Sequence, residues 1–195
     1  VTVVNFKQRE ITFNLVYYGT GLGGKTTNLK YVHSGLPDEV KSEFISVATA
    51  TDRTLFFDFV QMDLGLINNF KTRLALYTVP GQEEYFQSRR LLLKGVDGIV
   101  FVADSNPARA QANRDSIADM LQNLKANDLD ISEVPWVLQY NKQDLVDAMS
   151  LESMDRDLNF AEVPSFASVA TKGTAVLQTL QALTRLVLSK QPRVD

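Results

Sequence analysis

Ile11-Thr12-Phe13-Asn14-Leu15-Val16-Tyr17-Tyr18 runs straight into Gly19-Thr20-Gly21-Leu22-Gly23-Gly24-Lys25-Thr26. The first eight residues are β-rich, and the next eight fit the pattern G-x-x-x-x-G-K-[ST]. A tight passage from strand to helix can aim several backbone N–H groups at one anion only where side chains stay clear. Gly19, Gly21, Gly23 and Gly24 meet that need. The helix expected from Lys25 adds its N-terminal dipole. Lys25 is then placed to reach the β- and γ-phosphates of a nucleotide, and the Thr26 hydroxyl to ligate Mg²⁺. Leu22 and Thr27 complete the phosphate-binding segment.

Outward from this turn, strands and helices alternate. Thr54 to Phe59, Thr72 to Thr78, Gly98 to Ala103, Trp136 to Tyr140 and Ser165 to Val169 read as further strands. The run from Gly98 is apolar almost throughout, as buried parallel strands are. Pro107 to Ala126 reads as a helix with proline in its first turn. Val176, Leu180, Leu183 and Val187 fall on one face of a last helix that ends before Pro192. The fold class is α/β, with a mostly parallel central sheet and helices on both faces. No repeat or linker interrupts it, so residues 1–195 are expected to form one domain.

Asn141-Lys142-Gln143-Asp144 follows the fifth expected strand, at the carboxyl edge where ligands of open α/β sheets bind. A carboxylate at Asp144 can accept hydrogen bonds from guanine N1–H and N2–H₂, a pair of donors adenine lacks. Asn141 is expected to brace the loop and the Lys142 stem to lie along the base. The competing view, a helix-start turn capped by Asp144, loses weight because a phosphate loop precedes it in register. Together the two segments specify a guanine nucleotide, GTP or GDP.

Composition excludes several alternatives. With 45% hydrophobic and 22% charged residues, the 195-residue chain is ordinary for a soluble protein. A formal net charge of −3 gives no general attraction to nucleic acid. No apolar run approaches the roughly 20 residues that span a bilayer, and Val1 to Glu10 lacks a signal-sequence pattern. The chain has no cysteine, and Thr stands at position 2. The expectation is a cytoplasmic chain without an intrinsic membrane anchor, recruited to a cell pole only by partners.

The same segments carry a family resemblance. Gly81-Gln82-Glu83-Glu84-Tyr85 resembles the glutamine-bearing second switch of the Ras-like small GTPases, and with the two motifs above implies a P-loop NTPase of the Ras-like G-domain fold. The chain is more closely similar to the bacterial mutual-gliding (MglA-like) GTPases. Val16-Tyr17-Tyr18-Gly19, Lys25-Thr26-Thr27-Asn28-Leu29, Arg53-Thr54-Leu55-Phe56-Phe57-Asp58-Phe59, Leu76-Tyr77-Thr78-Val79-Pro80-Gly81-Gln82 and Gly95-Val96-Asp97-Gly98 carry that likeness.

The resemblance implies roles. Thr54 would ligate Mg²⁺ and sense the γ-phosphate, Gly81 N–H would contact that phosphate, and Gln82 would orient the attacking water. Arg53 would be an arginine finger carried in the same chain. Ala170, with Thr171 beside it, matches the last guanine-binding segment, where a backbone N–H meets the base oxygen. The implied partners are effectors that bind the GTP state and an activating homodimer of roadblock-fold subunits; the sequence does not identify the exchange factor. The implied function is a GTP-hydrolysing switch in cell polarity and gliding motility, the alternative being a GTP-bound scaffold that barely hydrolyses.

Two departures stand out. Thr78 replaces the Asp of most Ras-like proteins, though the gliding subfamily shares it, and should weaken Mg²⁺ binding or slow hydrolysis. Asp52 or Asp58 could substitute, but each reads more readily as a loop or sheet-surface residue. Glu83-Glu84 stands where the subfamily is more apolar. Arg89 and Arg90 read as a solvated helix face, Trp136 as packing, and His33 as a surface residue without a metal or acid–base role.

Overall fold

The computed structural model describes residues 3–47, 57–81 and 85–190. Among them lie eight strands of one sheet and five α-helices. The strands are β1 (Val3–Asn5), β2 (Glu10–Gly19), β3 (Ile45–Val47), β4 (Phe57–Ile67), β5 (Phe70–Thr78), β6 (Gly98–Asp104), β7 (Trp136–Asn141) and β8 (Ser165–Ala167). The helices are α1 (Lys25–Gly35), α2 (Phe86–Leu93), α3 (Ala110–Lys125), α4 (Leu151–Leu158) and α5 (Val176–Ser189).

Order across the sheet is β3-β4-β5-β2-β6-β7-β8, with β1 paired to β2. From β5 to β8 every pairing is parallel, while β3, β4 and β5 meet antiparallel. Chains that step from one parallel strand to the next must cross over a face, and the crossovers are the helices. Leu29 and Val32 of α1 and Val176, Leu180, Leu183 and Val187 of α5 pack one face. Leu93 of α2, Ile117, Met120 and Leu124 of α3, and Met154 and Leu158 of α4 pack the other. β6 is buried at every residue, as a central strand covered twice must be.

The expected strands differ from those found mainly around β4. Residues 54–56 lie outside the described residues, and the strand runs from Phe57 to Ile67, eight residues past Phe59. A register shift between Asp63 and Gly65 breaks its alternation. Asn68 and Asn69 then turn the chain, both at positive φ (50° and 63°), as a two-residue type I′ hairpin requires. The segment expected as one helix from Pro107 begins as a 3₁₀ turn over Pro107–Arg109, and the α-helix proper starts at Ala110. His33 is half-buried rather than on the surface, its Nε2 3.1 Å from the Ser42 carbonyl and its ring against Phe44.

The sheet sets the stage for a site. β2, β6 and β7 end side by side at their carboxyl edge, where β2 releases the glycine turn and β7 releases Asn141.

Candidate functional site

The turn after β2 is shaped by contacts that exclude side chains. Gly24 sits at φ 105°, and a Cβ there would lie 2.1 Å from Asn141 Nδ2. Lys25 opens α1 and curls back over the turn, its Nζ donating to the carbonyls of Gly19 (2.8 Å) and Thr20 (2.6 Å). Burial, followed by the Arg89 guanidinium, pulls its pKa down to about 7, against the pull of Asp58. An anion seated in the loop would favour the ammonium form of this buried lysine.

Beside the turn lies a cleft of about 940 Å³. Gly21, Leu22, Gly24, Lys25, Thr26, Thr27 and Gly81 line it, facing Ser46, Asp58, Thr78, Tyr85 and Arg109. At its floor is a cluster of oxygens. Asp58 accepts from the hydroxyls of Thr26 (2.6 Å), Ser46 (2.8 Å) and Thr78 (3.0 Å). Asp58 is only 7% exposed, not on the sheet surface as the sequence suggests. Alternation along β4 turns Asp58 and Val60 to the α1 side, where Asp58 meets the phosphate turn. Asp52 lies outside the described residues. A carboxylate with neighbouring hydroxyls is a hard-oxygen donor set, of the kind that binds Mg²⁺ through one carboxylate plus substrate phosphates.

Gly81 closes against the turn. A Cβ on it would lie 2.2 Å from the Gly21 nitrogen, so the two backbones touch. Arg109 donates from Nη2 to the Gly21 carbonyl at 3.1 Å. Gln82, Arg53 and Thr54 lie outside the described residues.

The second motif is tied to the first by Asn141. Its Nδ2 donates to the Gly23 carbonyl at 2.8 Å, and its Oδ1 accepts from the Ala170 backbone N–H at 2.9 Å and Ser168 Oγ at 3.3 Å. The Ala170 N–H expected to meet a base oxygen is therefore engaged by Asn141 in this structure. Lys142, at φ 69°, pairs through Nζ with Asp104 Oδ2 at 2.6 Å, which fixes the stem expected along the base. Asp144 is partly exposed and pairs with Lys172 at 3.1 Å. Thr171 is exposed next to Ala170. Asn141, Asp144 and Ala170 do not line the cleft itself; they flank it through the Asn141 bridge.

Four contributors escaped the sequence reading. Ser46 comes from a strand of three residues, Arg109 from a 3₁₀ turn, and Asp104 from the last position of an apolar strand. Arg89, expected on a solvated face, is 6% exposed. Of these, only Asp104 left a sequence signal, as a charge closing the run Gly98 to Ala103.

A P-loop fold whose phosphate turn and N-K-x-D loop are joined at one sheet edge is that of a guanine-nucleotide-binding protein. The sequence pattern of the ADP-ribosylation factor (Arf) family matches residues 3–188. Mutual gliding-motility protein MglA of Myxococcus xanthus (strain DK1622) is 48% identical over 190 residues, spanning 97% of each chain. The chain belongs to the Arf/Ras-like family of small GTPases. It binds GTP and GDP and hydrolyses GTP. Among the described residues, no helix is long and apolar enough to cross a membrane.

Proposed function

We propose that this GTPase is a molecular switch in cell polarity and gliding motility, acting in the cytoplasm and at a pole to which partners recruit it. The likeness to MglA supports the setting. The observation that carries the switch is the floor of the cleft, where the phosphate turn (Thr26), the edge hairpin (Ser46, Asp58) and the strand before the second switch (Thr78) converge on one carboxylate. A change in the phosphates of the bound nucleotide is thereby felt by both switch segments at once.

Thr26, Asp58 and Thr78 would hold Mg²⁺, with Thr54 joining from the first switch. When bound, the ion offsets charge on the β- and γ-phosphates. Asp58 supplies the carboxylate that Thr78 lacks, which favours a cycling enzyme over a scaffold that barely hydrolyses. Arg53 would steady the transferring phosphoryl group and Gln82 the attacking water, each set in place by an activating homodimer of roadblock-fold subunits. The surface such a partner or an effector would read includes Ile45, Phe59 and Tyr77. They sit in register across β3, β4 and β5, with Ile45 46% exposed and the two rings 4.9 Å apart.

Single-turnover hydrolysis of Mg²⁺-GTP, with and without a homodimer of roadblock-fold subunits of the kind proposed here, tests the reading. The expected result is slow turnover raised many-fold by the partner. Arg53→Ala and Gln82→Ala should keep GTP binding and lose the stimulation. Equal rates with and without the partner would remove it from the scheme.

A further inference from the structure

At the border of the nucleotide cleft lies a buried cation, Arg89, only 6% exposed. It lies on α2, the helix that follows the second switch, and an arginine on a short helix would ordinarily point to water. Here it forms an ion pair with Asp119, Nε lying 2.7 Å from Oδ2, and its Nη2 donates to Asp119 Oδ1 at 3.3 Å. Its Nη1 donates to the Pro80 carbonyl at 3.4 Å. Asp119 belongs to α3 and also accepts the Tyr18 hydroxyl. Asn123, one turn further along α3, donates to the same hydroxyl at 3.2 Å. Burial and the Asp119 carboxylate hold that phenol well above its usual pKa, so it stays a neutral donor.

The placement of the three ends of this network is what matters. Tyr18 immediately precedes Gly19, the first residue of the phosphate turn. Pro80 immediately precedes Gly81, whose backbone touches Gly21 of that turn. Asp119 sits on a helix packed against the sheet core through Ile117 and Met120. One guanidinium therefore ties the start of the second switch to the rigid face of the domain, and Asp119 ties the guanidinium to the strand that carries the phosphate turn.

We propose that Arg89 is a positioning residue for GTP hydrolysis: anchored by Asp119 and Tyr18, it holds the Pro80 carbonyl so that Gly81 stays against the phosphate turn. The proposal rests on the GTPase activity and on no particular partner. The charge alone is not enough for this role. A lysine could meet Asp119 but lacks the planar fork that serves a carboxylate and a carbonyl together.

The test separates hydrolysis from binding. In Arg89→Ala and Asp119→Asn, single-turnover GTP hydrolysis should fall at least tenfold, while affinity for a fluorescent GDP stays within about threefold. Arg89→Lys should recover part of the loss, and Tyr18→Phe, a change that keeps the ring, should show a smaller deficit of the same kind. Amide exchange at Gly81 and along α2 in the GDP complex should quicken in the same order. Unchanged hydrolysis in Arg89→Ala would overturn the proposal, as would hydrolysis, GDP affinity and melting temperature all falling in parallel. Should the unmodified chain show no hydrolysis, the exchange measurement still decides whether Arg89 holds Gly81, because it needs only GDP.

Discussion

Asp58 and Thr78 hold each other by both ends. The Thr78 hydroxyl donates to Asp58 Oδ2 at 3.0 Å and accepts the Asp58 backbone N–H at 2.8 Å. The pair bridges β4 and β5 beneath the phosphate turn. An Asp at 78, the Ras-like residue, would set two carboxylates side by side in a buried place. Thr at 78 and Asp at 58 keep the charge count at one and move the carboxylate one strand over.

Removing the Thr78 hydroxyl should therefore cost stability as well as Mg²⁺ binding. Thr78→Val leaves the buried Asp58 N–H without an acceptor, a loss of about 1–3 kcal/mol, read by urea denaturation of the nucleotide-free protein. Asp58→Asn should instead lower GDP affinity in Mg²⁺ and leave affinity in EDTA nearly unchanged. Equal loss in both conditions would count against Asp58 as a cation-holding group.

The depressed pKa of Lys25 makes nucleotide binding depend on pH. In the nucleotide-free protein Lys25 titrates at about 7, against roughly 10.4 for an unfolded lysine. Between those values the unfolded chain holds a proton that the folded chain lacks, so the empty fold gains stability as pH rises through this window. Phosphates favour the ammonium form. GDP binding at pH 8.5 should thus take up close to one proton, and affinity should fall with rising pH by up to about tenfold per unit. Calorimetry in buffers of different ionisation enthalpy measures the uptake, and Lys25→Met should abolish it. No proton uptake by the unmodified chain would refute the account.

Gly81→Ala tests the closeness of the two backbones. The new methyl would overlap Gly21 backbone atoms, which cannot swing aside as a side chain could. The second switch must back away, and a displacement near 1 Å costs catalysis on the order of 100-fold. GDP affinity should change little, and wild-type turnover would show that the contact is dispensable.

Asp144→Ala should erase the preference for GTP over ATP in competition binding. Each charge-assisted hydrogen bond lost is worth about 1.5–3 kcal/mol, or roughly ten- to a hundredfold. Lys172, which pairs with Asp144 at 3.1 Å, would lose its partner as well, so Lys172→Ala serves as the control that keeps the carboxylate. A preserved preference in Asp144→Ala would move base selection elsewhere.

Much of this site is legible along the chain because its parts are local. The phosphate turn needs glycines, a lysine and a threonine in fixed succession, and the strand before it and the helix after it have their own patterns. The burial of Asp58 is not legible along the chain because its partners lie 12 to 32 residues away, in Ser46, Thr78 and Thr26. Arg89 was misplaced for the same reason: the carboxylate that buries it is 30 residues on, in Asp119. β1 and β3 are three residues each and exist only through their pairing with β2 and β4. The far half of β4 was hidden by the bulge near Gly65, which throws its apolar residues out of step. Arg53, Thr54 and Gln82 fall outside the described residues, so their roles stay with the proposed function.

Asn141 makes the two halves of the pocket one mechanical part. With one carboxamide hand on the Gly23 carbonyl and the other on the Ala170 amide, opening either loop alone breaks a hydrogen bond worth about 1 kcal/mol. A nucleotide seated across both would leave only when that staple yields. Asn141→Ala should therefore shorten the residence time of GDP, and loosening this seam is a route to exchange that need not touch the phosphates.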